Sequence, residues 1–363
     1  MRIQALAVVL AVAIPVGAQG AEPAAAPARP DKGAAAPAKP DKAAAAAPAG
    51  GGLAPSKDKV VSSHGPYESG DCSLCHANKD PRNPGPATKP VNGVCFACHE
   101  DMQDVMGKSK FKHKVADAAC TNCHNPHNSA QPKLLRAAAP GLCLDCHAKV
   151  KQAMEGEVKH QALRTGAGCS NCHSPHASNV EHLLLRLPFD QCISCHDKDN
   201  VADASGKPLT NYKKLLQDNP VHHAPVAAKD CSSCHQPHGS AYFRLLVAPY
   251  PAQFYAPFDP ANYSLCFTCH DDKMVTAAET TTATRFRDGS RNLHFLHVNN
   301  PTRGRTCRAC HEVHASKQQF QIRDGVPYGT KGWILKVNYT SSPNGGTCDK
   351  TCHTSKSYVN TKK

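Results

Sequence analysis

The chain has 363 residues, enough for two or three ordinary domains, yet it carries 20 Cys and 22 His against 10 Phe and a single Trp. Large apolar side chains are too few to fill cores of that size, so something other than side chains must occupy the interior. The formal charge of +13 by itself suggests an acidic partner such as nucleic acid, a reading that the cysteine pattern removes.

Residues 1–20 read as a secretory signal peptide: basic Arg2, an apolar run from Ile3 to Val16, then small residues around Ala18-Gln19-Gly20-Ala21. The run is too short to span a bilayer, and no other stretch reaches the roughly 18 apolar residues of a membrane helix. No Cys precedes Cys72, so none near the leader can accept a lipid. An exported protein without a membrane span of its own is expected. Residues 21–60 repeat PARPDKGAAA and PAKPDKAAAA; prolines every few residues forbid a long helix, and a disordered Ala/Pro/Lys tether is expected.

Residues 61–363 hold every cysteine. Nine times the chain reads C-x-x-C-H, at Cys72/Cys75/His76, Cys95/Cys98/His99, Cys120/Cys123/His124, Cys143/Cys146/His147, Cys169/Cys172/His173, Cys192/Cys195/His196, Cys231/Cys234/His235, Cys266/Cys269/His270 and Cys307/Cys310/His311. A tenth, Cys348/Cys352/His353, has one extra residue between its cysteines, and no Cys is left over. The pattern marks covalent attachment of haem c. Two thiols one turn apart reach the two vinyl groups of a porphyrin edge, and the adjacent His ligates the iron. Ten haems are expected, with the motif histidines as proximal ligands. Zinc sites do not require His directly after the second Cys each time, and ten disulfides would not explain the His at all.

Twelve histidines lie outside the motifs and are candidates for the opposite side of each iron: His64, His113, His127, His160, His176, His182, His222, His223, His238, His294, His297 and His314. One stands seven to ten residues before the first motif of each pair: His64, His113, His160, then His222 or His223, then His297 with His294 as its alternative. Another follows three residues after a motif His, at His127, His176, His238 and His314, with Pro126, Pro175 and Pro237 before the first three. Proline disfavours helix at the residue before it, so each CHxPH is expected to leave the haem-bearing turn and aim its last His at a different haem. Met102, Met106, Met154 and Met274 are too few to serve instead and read as packing residues.

These features define five two-haem units, at about 61–106, 107–156, 157–202, 203–275 and 276–363. Pairs of leucines, Leu134-Leu135, Leu184-Leu185 and Leu245-Leu246, are expected against porphyrin faces. A short helix is expected over Ala148 to Val158, and a hairpin from Phe320 to Arg323 and Ile334 to Tyr339. The fold class is a multihaem cytochrome c: a mostly irregular, haem-cored chain with short α-helices and minimal β structure.

At CTNCHNPH (Cys120 to His127), CSNCHSPH (Cys169 to His176) and CSSCHQPHG (Cys231 to Gly239), each followed by another CxxCH, the chain resembles the doubled-CXXCH multihaem cytochromes of dissimilatory metal-reducing and related respiratory bacteria. The resemblance covers about residues 61–353. It implies bis-His, low-potential haems stacked for electron hopping between an inner-membrane or periplasmic donor and an outer-membrane or extracellular acceptor. The ten-haem count is similar to that of periplasmic members that plug an outer-membrane porin, and the same features are similar to extracellular members, including those that polymerise into filaments. The resemblance thus implies a place in the periplasm, at the outer membrane or outside a Gram-negative cell, and a porin or a second copy among the partners. No catalytic residue is expected, because a multihaem reductase of nitrite or sulfur oxyanions needs an iron with an open position. Ten pairs of propionates add roughly −20 and ferric centres return about +10, so the excess of Lys and Arg balances the cofactors and no nucleic-acid partner is expected.

Overall fold

A computed structural model describes residues 59–203, 205–329 and 332–361. The expected leader and all but the last residues of the expected tether lie outside the described residues. Apolar burial is sparse. Met106, Ala116 and Ala177 form one small cluster, with Phe96 and Met102 packed on it. Leu246, Tyr250 and Tyr263 form another. Only Tyr263 and Asn292 are essentially sealed among the larger side chains described. So little buried area cannot offset the ordering of some 300 residues without a further filling.

Each CxxCH closes one turn. The His amide donates to the first Cys carbonyl in the same manner along the chain: His76 to Cys72 at 2.8 Å, His99 to Cys95 at 2.9 Å, His235 to Cys231 at 3.0 Å and His311 to Cys307 at 3.0 Å, among others. Four of the five first motifs sit on short 3₁₀ turns, such as Cys72–Leu74, Cys120–Asn122 and Cys307–Ala309, and the one at Cys231 on a plain turn. The second motifs of the first four pairs lie at α-helical turns, such as Val91–Phe96, Gly141–Leu144 and Pro188–His196, whereas Cys348 lies in a strand, Gly345–Asp349. The helix expected over Ala148 to Val158 runs from Ala148–Met154 and stops before Gly156. A Cβ at Gly156 would lie 2.7 Å from the Ser240 backbone, so the chain turns there to meet the next unit at the Val158–Ser240 bridge.

Units are joined by two-residue antiparallel ladders. Ser62–Ser63 pairs with Asn128–Ser129, Phe111–Lys112 with Ala177–Ser178, and Val221–His222 with Ala315–Ser316. In every case the entry to one unit pairs with the segment just after CHxPH, or CHEVH, of the following unit.

The β structure at the C-terminal end departs from expectation. The hairpin pairs Gly325–Tyr328 with Trp333–Lys336, and Phe320 lies in a 3₁₀ turn, Gln319–Gln321. A three-stranded antiparallel sheet follows, with Gly345–Asp349 between Asn338–Ser342 and Lys356–Val359. Phe320 is kept out of the hairpin because it occupies the turn that leucine pairs occupy in earlier units. No helix among the described residues is long and apolar enough to cross a membrane.

Candidate functional site

Every motif His faces one other imidazole. The ring-centre separations are 6.1 Å for His99 with His64, 6.2 Å for His76 with His127, 6.1 Å for His147 with His113 and 6.1 Å for His124 with His176. They are 6.4 Å for His196 with His160, 6.2 Å for His173 with His238, 6.0 Å for His270 with His223 and 6.3 Å for His235 with His314. The last two pairs are His311 with His294 at 6.3 Å and His353 with His297 at 6.4 Å. Nine pairs are within 27° of parallel; His297 and His353 are inclined at 42°. These rings are too far apart to touch. An imidazole nitrogen sits about 2 Å from a first-row metal, with its ring centre roughly 1.1 Å behind, so two rings on opposite faces of one ion are about 6.3 Å apart. The spacing fits a single iron between each pair.

The ring nitrogens agree. Where a hydrogen bond to one of these rings is described, it uses Nδ1 and leaves Nε2 for the space between the rings. For His76, His124, His173, His235 and His311 the partner is a carbonyl nine residues on: Gly85, Lys133, His182, Arg244 and Phe320, at 2.8 to 3.0 Å. For His64, His113 and His160 it is the carbonyl of Pro126, Pro175 and Pro237 in the following unit. His294 uses Thr284 and His297 uses Leu293. Such outer contacts fix ring orientation and raise ligand basicity at metal sites. Burial first, and then His311 and His297, push His294 down to about 3, so it is neutral and its Nε2 lone pair is free to ligate.

Two candidates stand apart. His222 spends its Nε2 on the Leu216 carbonyl at 3.0 Å. Strand alternation puts its neighbour His223 on the other side, where the amide of His223 bonds the His314 carbonyl. His182 is an exposed turn residue whose carbonyl, not its ring, bonds His173. His294 and His297 are not alternatives. They are neighbours one turn apart on the helix Leu293–Val298, with Phe286 against both rings, and each faces a different motif His.

The turn that supplies those carbonyls is unusual. Lys133-Leu134, His182-Leu183, Arg244-Leu245 and Phe320-Gln321 all have φ between 54° and 61°, a cost of about 1–2 kcal/mol per residue for L-amino acids. A serine two residues after each CHxPH histidine, or after the corresponding His314, holds the turn: Ser178 Oγ donates to Leu184 O at 2.5 Å and Ser240 Oγ to Leu246 O at 2.5 Å, with Ser129 to Leu135 and Ser316 to Ile322 likewise. Ser129, Ser178, Ser240 and Ser316 were legible as CHxxHxS but carry no ligand chemistry that would draw attention. In the third unit the turn uses Leu183 and Leu184, one residue before the expected leucine pair, and Leu185 is exposed.

All twenty cysteines are free thiols, and those of successive motifs adjoin. Burial pushes up Cys75, Cys123, Cys172, Cys234 and Cys310, and each is pushed further by a thiol of the next motif: Cys98, Cys146, Cys195, Cys266 and Cys352. Between pairs, the thiols of Cys95 and Cys120, Cys143 and Cys169, Cys192 and Cys231, and Cys266 and Cys307 are near enough that the second pushes up the first, together with burial. The contacts run unbroken from the first motif to the tenth.

The two thiols of a motif, equivalent by spacing as anchors of one porphyrin edge, are not equivalent in the fold. In second motifs the latter thiol is exposed, at Cys98, Cys146, Cys195, Cys269 and Cys352. The difference is clearest at Cys269. Its partner Cys266 sits in the helix Ser264–Phe267 and packs, with Cys307, on the cluster around Tyr263. Cys269 lies past that helix's end, where its amide closes on Cys266 O at 3.2 Å. The turn that directs Cys266 inward therefore directs Cys269 outward, and its one described effect on another motif is to help Cys266 push up Cys234.

The doubled CXXCH motif family matches at residues 64–104, 113–152, 160–201 and 223–275, a little under half the chain. The chain is similar to the multihaem cytochrome MtrA of Shewanella baltica (strain OS185), 29% identical over 115 residues that make up 28% of this chain and 34% of that protein. These matches support a multihaem c-type cytochrome. The matched stretch thus spans about a third of that relative, and the cytochrome's last pair of motifs lies outside the family match.

Proposed function

We propose that this cytochrome carries ten haems c in a single line and relays electrons along it. The observation that carries this is the pairing of all ten motif histidines, each with a different second imidazole at 6.0 to 6.4 Å. The free thiols stand in for thioether sulfurs that would anchor each porphyrin edge, and haem supplies one-electron uptake and release at iron. The residues do the rest. The paired imidazoles would hold each iron from both sides, the carbonyls on Nδ1 would keep the rings in place, and the adjoining sulfurs would set the order of the haems as the order of the motifs. A line of this kind needs no catalytic group, and the relative's description as a multihaem cytochrome is in keeping with it.

The same reading includes export, redox proteins as donor and acceptor at the two ends, and a holoprotein whose propionates use up the excess positive charge. A reductase would need one iron without a second imidazole, and a filament joined through shared ligands would need a histidine from a neighbouring copy. Ten pairs closed within one chain favour neither. The test is the intact mass of the exported holoprotein together with its spectra. Ten haems, all low-spin, and no turnover of nitrite are expected; fewer haems or a high-spin fraction would overturn the assignment.

A further inference from the structure

The seventh pair differs from the rest. In units two to four the residue after the first-motif His is Asn125, Ser174 or Gln236, followed by proline; in unit five the corresponding residues are Glu312 and Val313. Glu312 is a carboxylate, and one of its oxygens lies 3.3 Å from Nδ1 of His314, the ring that faces His235. Its other oxygen is bonded to Arg323, which also reaches the Arg308 carbonyl at 2.9 Å. The three side chains are only 24%, 20% and 11% exposed for His314, Glu312 and Arg323. The edge of Tyr212 closes over His314 at 4.8 Å between ring centres. On the far side, His235 Nδ1 is held by the Arg244 carbonyl at 3.0 Å.

We propose that Glu312, acting as a positioning residue through His314, makes the iron between His235 and His314 the most reducing of the ten. This rests on the bis-histidine reading above. With Nε2 of His314 directed to iron, Nδ1 carries the proton and donates it toward the carboxylate. A charged acceptor draws that proton harder than a carbonyl does, which gives the imidazole more anionic character and makes it a stronger donor to ferric iron. Arg323 cancels the carboxylate's charge at longer range, so what reaches the iron is the hydrogen bond. The ferric form is stabilised and the potential falls. The exchange is one electron, with the iron reduced as a neighbouring haem iron is oxidised and no proton leaving His314. A deep site at the seventh of ten positions makes the step into it the uphill one, which divides the line into a longer and a shorter segment.

The experiment is an optical redox titration at one pH, with low-temperature electron paramagnetic resonance, on holoprotein already weighed to contain ten haems. In E312Q, the most negative tenth of the absorbance amplitude should shift positive by about tenfold in its equilibrium constant, or 59 mV for one electron. The spectrum should stay low-spin, and E312D should restore the original curve. The isosteric Q236E places a carboxylate beside His238 and should move a second tenth, that of the His173–His238 pair, to more negative potential; this arm stands even where E312Q fails to mature. An unchanged curve in both variants overturns the proposal. A high-spin signal in E312Q also overturns it, because Glu312 then merely keeps His314 in place. A haem count below ten in the wild type instead strikes the bis-histidine reading itself.

Discussion

Replacing His294 with alanine tests the ligand assignment where the sequence was most ambiguous. His294 and His297 share the helix Leu293–Val298, and Phe286 packs against both rings. Only His294 faces His311, at 6.3 Å, while His297 faces His353 at 6.4 Å and is held by Leu293 at 2.7 Å. On the proposed bis-histidine assignment, His294→Ala would leave the iron at Cys307/Cys310 with one ligand, and the helix could not turn His297 to replace it without opening the tenth site. Either way one iron in ten loses a ligand. The reduced variant should bind about one carbon monoxide per chain where the wild type binds none, and about a tenth of the haem should turn high-spin. The assay is a carbon monoxide titration of dithionite-reduced protein, normalised to haem content. His182→Ala and His222→Ala are the controls and should bind none. Carbon monoxide uptake by either control, or none by His294→Ala, would refute the pairing read from ring geometry.

Three further outcomes follow from the same geometry. His127→Ala should open the iron at Cys72/Cys75, not the one at Cys120/Cys123 in its own unit, so that adding Cys72→Ala and Cys75→Ala abolishes the new high-spin signal whereas Cys120→Ala and Cys123→Ala do not. Ser240 is buried, donates to Leu246 O and accepts from the Tyr242 amide at 2.9 Å; Ser240→Ala should cost about 1–3 kcal/mol in denaturant unfolding of the reduced holoprotein, and an unchanged midpoint would mean the turn is held by something else. Gly239 has φ +142° and a Cβ there would lie 2.2 Å from the Ala153 carbonyl, so Gly239→Ala should destabilise by at least about 2 kcal/mol, read in the same unfolding assay, with the wild-type midpoint as the disproof.

The motif turns and their histidines were legible because the chemistry is local: one turn of chain fixes two thiols and one imidazole. The crossing of each CHxPH to another motif was legible for a similar reason, since proline stops the helix and the recurrence removes chance. What escaped was set at long range. His222 and His223 are adjacent, and only the register of Val221–His222 against Ala315–Ser316 decides which faces His270. Spacing alone does not separate Cys266 from Cys269 either, because the inward side of that turn is set by Tyr250 and Tyr263 packing against it. The left-handed turns were hidden because leucine, lysine and histidine give no sign of positive φ. Phe320 hid the last of these turns inside what looked like a strand, and the three-stranded sheet around Cys348 has no counterpart in the earlier units from which to infer it.

The ladders between units have a consequence for how such a chain can grow. His64 and His127 are bonded backbone to backbone at 2.9 Å, as are His113 and His176 at 2.8 Å, yet the first of each serves its own unit and the second serves the unit before it. A unit is thus completed only by its successor, like links that close on the next link. In the fifth unit His294, on that unit's own helix Leu293–Val298, faces the first motif histidine, a position filled in earlier units from the unit that follows. That helix makes the fifth unit self-closing: whole units can be gained or lost ahead of it while His311 and His353 keep their facing imidazoles, whereas a chain without it leaves both unfaced.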